Sequence, residues 1–390
     1  MNSFLDHGRI HRLRTARGLT QAELADSIDV PASAFSRMLT GSLAVDGEAT
    51  NRLAVELDCT PELLRRGTSD VLFTRPWLRA YADAPKKTVD QNVADAVLAL
   101  EAFESLRLKR IPDHLPLFAE DPNNDEDIDE FAAQVRDVAE VDSPVAVPNV
   151  TRAAERLGCV VLPMDHELGK HLGMSMHVDG VPVLRASRPS SDGGIPGDRQ
   201  RFTVAHELGH LTMHSTCPPP ETTEQARTIE KQAHRFAGAF LLPGDAFLDD
   251  LEARGQGRVT LATLAQMKEH WGVAIKAMVV RLQNLHRIDA DQARSLYKQI
   301  SARSWNKAEP VQVLNERAIW LEKALAKRFP DGDAVASAAI ASELGRSYFE
   351  SWLRWEAVEQ RDASIIAFPA EAADERGRTR PRKPGTVTRL

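Results

Sequence analysis

A multidomain chain, mainly α with a small α+β part, is predicted by three observations. Residues 1 to 66 carry a run of short helix signals separated by tight turns. Between 159 and 187, apolar runs of strand length meet at an Asp-Gly pair. Most of the chain beyond 197 has helical periodicity. The length of 390 residues suits two or three domains, and 43% apolar content is enough for ordinary globular cores. No stretch approaches the roughly 18 consecutive apolar residues that a membrane span needs. The charged start, MNSFLDHGRIHRLRTARG, lacks the apolar centre of a signal peptide, so a cytoplasmic protein with no membrane partner is expected. Cys59, Cys159 and Cys217 are odd in number and far apart, which excludes a disulfide framework. A net charge of −7 gives no general attraction to nucleic acid, so any DNA contact must come from a local surface.

The elements follow in order. In "RIHRLRTARG", Ile10, Leu13 and Ala16 recur at helical spacing and Gly18 ends the helix. In "TQAELADSI", Thr20 and Glu23 form a capping box, in which the hydroxyl accepts from a backbone N–H three residues on and the carboxylate reaches back. A turn near Asp29 leads to "PASAFSRML", closed by Gly41, and two more helices follow in "GEATNRLAVELD" and "PELLRR". Five short helices with a tight turn between the second and third make a helix-turn-helix domain over 1–70.

The stretch "RGLTQAELADSIDVPASAFSRMLTG" resembles the Cro/C1-type (XRE) helix-turn-helix of phage repressors. The resemblance implies DNA binding, with a phosphate contact at Gln21 and groove-facing positions at Ala32, Ser33, Ser36 and Arg37. It places Leu24, Ala25, Val30, Phe35 and Met38 in the core, and modules of this type commonly bind as dimers, which makes a homodimer a candidate state. A helical module used for dimerisation or partner binding would read alike, since the module's eight cations face nine anions.

Residues 71–130 read as a helical connector ending in "AEDPNNDEDIDE", whose seven acids in twelve residues predict a solvated linker. A mixed domain is expected over 131–290. It begins with helices in "DEFAAQVRDVAEV" and "NVTRAAERLG" and a buried strand in "CVVLPM". "GMSMHVDGVPVLRAS" is two alternating runs joined by Asp179-Gly180, a hairpin signal. Two longer helices follow, "DRQRFTVAHELGHLTMH" and "TEQARTIEKQAHRFAGAFLL", the second stopped by Pro243-Gly244.

In "FTVAHELGH", His206 and His210 lie one helical turn apart and can reach one ion, while Glu207 sits one residue round, placed to hold a water rather than to ligate. This is the HExxH arrangement of zinc peptidases. A catalytic zinc needs a third protein ligand and an open position. A metzincin would carry histidine at 216, where this chain has Thr216. Glu230, on the next helix and twenty residues past His210, is the candidate, as in gluzincins, with His234 one turn further on the same face. His234, His214 and His177 are candidates for supporting a ligand or stabilising an oxyanion. A substrate strand could add to the edge of the 174–184 hairpin.

Residues 131 to 288 resemble the ImmA/IrrE family of metallopeptidases in the "RFTVAHELGH" helix and the following "E..A..FA..LLP" helix. The resemblance implies a zincin-like domain, a small sheet plus the HExxH and Glu helices, in which Zn2+ is held by His206, His210 and Glu230 with Glu207 as general base. The position of His234 is more usually Asn or Asp in that family. Residues 259–288 carry a helix, Gly-Val turn, helix pattern similar to the family's domain end, where Lys268, Lys276, Arg281 and Arg287 could face nucleic acid or solvent. A helical region over 291–368 has Trp305, Trp320, Trp352 and Trp355 as packing residues, and 369–390 reads as a disordered basic tail. The function expected is that of a zinc endopeptidase with a DNA-binding module, cleaving a transcriptional repressor to control stress-response or mobile-element genes. The alternative is a DNA-binding regulator whose peptidase domain senses or docks without cutting.

Overall fold

The first helix, α1 (His7–Ala16), begins where the Asp6 carboxylate accepts from Arg9 N at 2.7 Å, and it buries Ile10, Leu13 and Ala16. The computed structural model describes residues 4–68, 70–74, 76, 85–118, 124–142, 145–164, 171–188 and 195–355. Helix α2 (Gln21–Ser27) opens on the expected capping box, with Glu23 N donating to Thr20 Oγ1 at 3.1 Å and Thr20 N to the Glu23 carboxylate at 2.6 Å. Asp29 takes a positive φ of 56° in the turn, and Pro31 leads into α3 (Ala32–Leu39). Helix α4 (Gly47–Glu56) follows. The fifth expected helix, "PELLRR", is a single 3-10 turn at Leu63–Arg65. Leu24, Ala25 and Phe35 are buried as expected, whereas Val30 and Met38 only pack partly buried against the same core.

Next come α5 (Lys86–Ser105) and α6 (Asp125–Val138). The acid-rich stretch expected as a solvated linker through 130 is therefore helix from Asp125 onward, while 119–123 lie outside the described residues. Asn124 caps α6 and three acids fill its first turn, where the helix dipole favours negative charge. Asp129 accepts from Arg235 at 2.7 and 2.9 Å and from Arg281 at 2.8 Å, so acids that look solvated in sequence anchor the next domain.

Helix α7 (Val150–Arg156) precedes a three-stranded sheet of β1 (Val160–Met164), β2 (Gly173–Val178) and β3 (Val181–Ser187) in the order β1-β3-β2. The hairpin register pairs Val178 with Val181 across Asp179 (φ 47°) and Gly180 (φ 76°), the left-handed pair of a type I′ turn, and β1 runs parallel to β3. Val160, Leu162, Met164, Met174 and Met176 face one core, and Val161, Leu184 and Ala186 face the other. The sheet thus lies between two cores, which explains its burial on both faces.

Helices α8 (Gly197–Met213) and α9 (Thr223–Leu241) pack together beneath the sheet's second face with α6 and α7. They are followed by α10 (Gly244–Gly255), α11 (Leu261–Trp271), α12 (Ile275–Asn284) and α13 (Ala290–Ala302). Lys268 and Arg281, two cations offered as facing nucleic acid, are each 2% exposed. Lys268 is paired with Asp198 and Glu309 and Arg281 with Asp129, because their helices turn these faces inward.

The chain ends, within the described residues, in α14 (Trp320–Arg328), α15 (Ala334–Ser342) and α16 (Arg346–Leu353). These helices share the first core with α1–α5. Thr60 N donates to Glu343 O at 2.9 Å, Gly345 N to Asp58 O at 2.7 Å, and the Tyr348 hydroxyl to Leu57 O at 2.9 Å. Trp352 and Trp355 are buried and Trp305 and Trp320 partly so. The basic tail lies outside the described residues. Among the described residues no helix is long and apolar enough to cross a membrane.

Candidate metal centre

Gly209 lets α8 and α9 meet closely, since a Cβ there would lie 3.0 Å from the Phe236 ring and 3.4 Å from Ala233 Cα. This approach brings Glu230 of α9 to the histidines of α8. The Nε2 atoms of His206 and His210 are 3.1 Å apart, and each lies 3.5 Å from a Glu230 carboxylate oxygen. The three residues offer donor atoms within 4.8 Å of one another, a set that could hold a metal ion. Two imidazoles and a carboxylate are a donor set that suits zinc among the divalent ions.

The electrostatics favour the same use. Burial alone would raise the Glu230 carboxyl, but the neighbouring His206 and His210 rings hold it well below the usual carboxylate range. Burial is also the main cause that drives His210 down to about 3, so its ring is neutral with a lone pair to offer. Behind it, His210 Nδ1 lies 3.0 Å from His214 Nδ1, and His214 Nε2 lies 3.1 Å from Gln232 Oε1. The Gln232 oxygen accepts, so His214 donates from Nε2 and accepts from His210 Nδ1–H at Nδ1. That leaves His210 Nε2 to face the trio.

Glu207 stands apart from the trio. It is 5% exposed, and Ser175 Oγ on β2 donates to its Oε2 at 2.7 Å. Burial pushes its carboxyl up to about 7, against His206 and the Ser175 hydroxyl, which lower it, while Glu230 adds to the rise. Gly173 seats the strand on this side chain, since a Cβ there would lie 2.7 Å from Thr203 Cγ2 and 3.0 Å from Glu207 Cγ. Sequence reasoning missed Ser175. The available signal was a serine alternating between two methionines in "GMSMHV", a polar residue on a strand face with no other polar need.

Of the three supporting histidines expected, the structure brings two to the site. His214 lies behind His210, and the His234 ring packs at a tilt 4.5 Å from that of His206 and 5.6 Å from that of Phe202. His177 sits elsewhere. Burial lowers its pKa against the charge of Asp113, and no described contact joins it to the trio. The expected substrate edge is also partly taken. Phe73 bridges to Val178, Thr74 N donates to His177 O at 2.9 Å, and Asp179 N donates to Leu72 O at 2.6 Å. Only the Gly173–Met176 part of the β2 edge, beside Glu207, is without such pairing among the described residues.

In the N-terminal module Ala32, Ser33, Ser36 and Arg37 are exposed along α3 and Gln21 is half-exposed at the start of α2. Arg9 and Arg12 are paired with Glu101, Arg52 with Glu48 and Arg66 with Glu343. Arg37 is exposed and has no ion pair among the described residues.

Comparison with known families divides the chain in the same way. Residues 154–283 match the peptidase M78 family, described as the IrrE N-terminal-like domain, and residues 8–67 match a helix-turn-helix domain family. No curated protein matches the chain. The chain is therefore similar to a peptidase-family domain over one stretch and to a helix-turn-helix domain over another, the two regions in which the resemblances lay.

Proposed function

We propose that the protein is a zinc-dependent endopeptidase that cleaves a protein substrate of the transcriptional-repressor class, with its N-terminal module placing it on DNA. The observation that carries this reading is the buried His206–His210–Glu230 set with Glu207 beside it but outside it. Zinc held by His206, His210 and Glu230 would polarise a scissile carbonyl and acidify a water. The Glu207 carboxylate takes a proton and returns it to the leaving amine, and a carboxyl near neutrality suits both transfers. Ser175 holds one carboxylate oxygen, which fixes the plane of the base. His214 and Gln232 orient the His210 ring, and His234 packs on the His206 ring. The Gly173–Met176 part of the β2 edge, without strand pairing on that side among the described residues, is where a substrate strand would add. Exposed Ala32, Ser33, Ser36 and Arg37 support a groove-facing α3, with Gln21 at a phosphate and with a homodimer reading two half-sites. No disulfide joins the cysteines among the described residues, which suits the cytoplasm.

A second reading draws on the hydrogen bonds that tie residues 57–60 to 343–348 and so join the module to the C-terminal helices. In it the protein is a DNA-binding regulator whose peptidase domain senses without cutting. Zinc content and proteolysis separate the two. The purified chain is expected to hold about one zinc and to cut an unstructured protein such as casein, with Glu207→Gln slower by about 10²–10⁴-fold. A chain that takes no zinc, or a Glu207→Gln variant that cuts as well as the parent, overturns the protease reading.

A further inference from the structure

A groove of about 620 Å³ opens beside the metal centre and has no part in the chemistry above. One wall is the first half of α8, from Asp198 to Thr203, and the other is the irregular segment 305–315. The groove reaches the site directly. Phe202 lies one helical turn before His206, and its ring packs on His234, which packs on His206. Thr203 touches the position of Gly173 above Glu207.

The irregular wall is firmly built. Gly197 N donates to Val313 O at 3.1 Å and Asn315 Nδ2 to Ile195 O at 2.9 Å. Glu309 accepts from Lys268 at 2.6 Å and from Ile275 N at 3.0 Å. Glu316, just beyond, is buried against Arg201 and accepts from Thr151 N at 2.8 Å. These bonds hold a line of apolar side chains toward the opening: Trp305, Val311, Val313 and Leu314 face Leu172 and Phe202 across it. Leu314 is 87% exposed although the backbone around it is pinned. Side chains this apolar, held open to solvent next to a candidate active site, fit another apolar side chain.

Charge says what accompanies it. Inside the groove Lys268 is neutralised by Asp198 and Glu309. On the rim, Arg199, Lys276 and Lys307 are exposed and have no ion pair among the described residues. Among the described residues, one buried lysine against two carboxylates, with three rim cations, gives the groove lining two net positive charges in a chain whose net charge is −7.

Building on the protease reading, we infer that this groove selects the substrate: it takes a segment of the cleaved chain in which an apolar side chain is flanked by Asp or Glu. The apolar residue fills the space between Phe202 and Leu314, and the acids meet Arg199, Lys276 and Lys307. The pairs are exposed, so they set preference and encounter rate more than tightness.

The test uses the full zinc-loaded chain carrying Glu207→Gln, so that bound peptide is not cut. The probes are two fluorescein-labelled twelve-residue peptides with a central Leu-Phe, one flanked by Glu and Asp and its twin flanked by Lys. Anisotropy is expected to show the acidic peptide binding about tenfold tighter at low salt, a preference that shrinks as salt rises. Adding Lys276→Glu and Lys307→Glu, both at exposed positions, is expected to remove that preference while zinc content stays unchanged. Equal binding of the twins, no binding of either, a preference that survives the charge reversal, or displacement of the peptide by duplex DNA each overturns the inference. Casein cleavage by the unmodified chain, absent in Glu207→Gln, is scored in parallel. If it persists, the groove assignment has failed and the protease reading has not.

Discussion

Replacing Glu316 with Ala is predicted to cost about 4–6 kcal/mol, one of the largest single-site effects in the molecule. The carboxylate and the Arg201 guanidinium are each 7% exposed at the side chain and are in direct contact. Glu316 also accepts from Thr151 N at 2.8 Å, while its backbone N–H donates to Gln200 Oε1 at 2.6 Å. Breaking a buried ion pair by removing one partner costs roughly 3–5 kcal/mol, because the other charge stays buried alone. Arg201 keeps a bond to Val147 O at 2.6 Å, which softens the loss. The orphaned Thr151 N–H adds about 1–3 kcal/mol, for about 4–8 kcal/mol in sum, and the bond that Arg201 keeps puts the expected figure in the lower half of that range. A total stability of about 5–15 kcal/mol makes that a large share. Urea unfolding followed by tryptophan fluorescence measures it, at unchanged slope. The same reasoning requires that Arg201→Met with Glu316→Leu recover most of the loss, since a buried pair is often no better than well-packed apolar residues. A single variant that loses less than about 1 kcal/mol, or a double variant no more stable than the single one, would refute the reasoning.

Three further outcomes are expected. Glu230→Ala should lower zinc affinity by more than about 100-fold, beyond what an outer-shell change costs, as read by competition with a chelator, and retained affinity would remove Glu230 from the ligand set. Ser175→Ala should move the acid limb of the pH–rate profile upward. The hydroxyl holds the Glu207 carboxyl below where burial would put it, and a base works only when deprotonated. A bond to a charged group contributes about 1.5–3 kcal/mol, or roughly one to two pH units, and an acid limb that stays put or moves down would exclude this role. Arg37→Ala should weaken duplex binding and lower the slope of log affinity against log salt by about one, and an unchanged slope would show that α3 does not meet phosphate.

Features that depend on neighbours three or four residues away were legible in the chain. The Thr20–Glu23 capping box, the Asp179-Gly180 turn and the one-turn spacing of His206 and His210 are short-range geometry, and the structure reproduces all three. Glu230 could be named because a catalytic ion needs a third ligand and the next helix begins its apolar face with a carboxylate. The acidic run 125–130 misled for the opposite reason. Composition reads it as solvated, but Asp129 is claimed by Arg235 and Arg281, which lie more than a hundred residues away.

By itself, then, the sequence determined which helix carries the candidate metal ligands, the residues one turn apart on it, and the helix-turn-helix type of the N-terminal module. Only the tertiary structure decided that Ser175 sits on Glu207, that His214 backs His210 while His177 does not join the site, and that residues 72–74 take one end of the β2 edge. It also decided that the C-terminal helices close on the module from residues 57–66. Local signals record the backbone's own hydrogen bonding, which repeats at fixed spacing. Contacts between distant segments depend on which faces exclude water together, and many sequences with the same local pattern could make that choice differently.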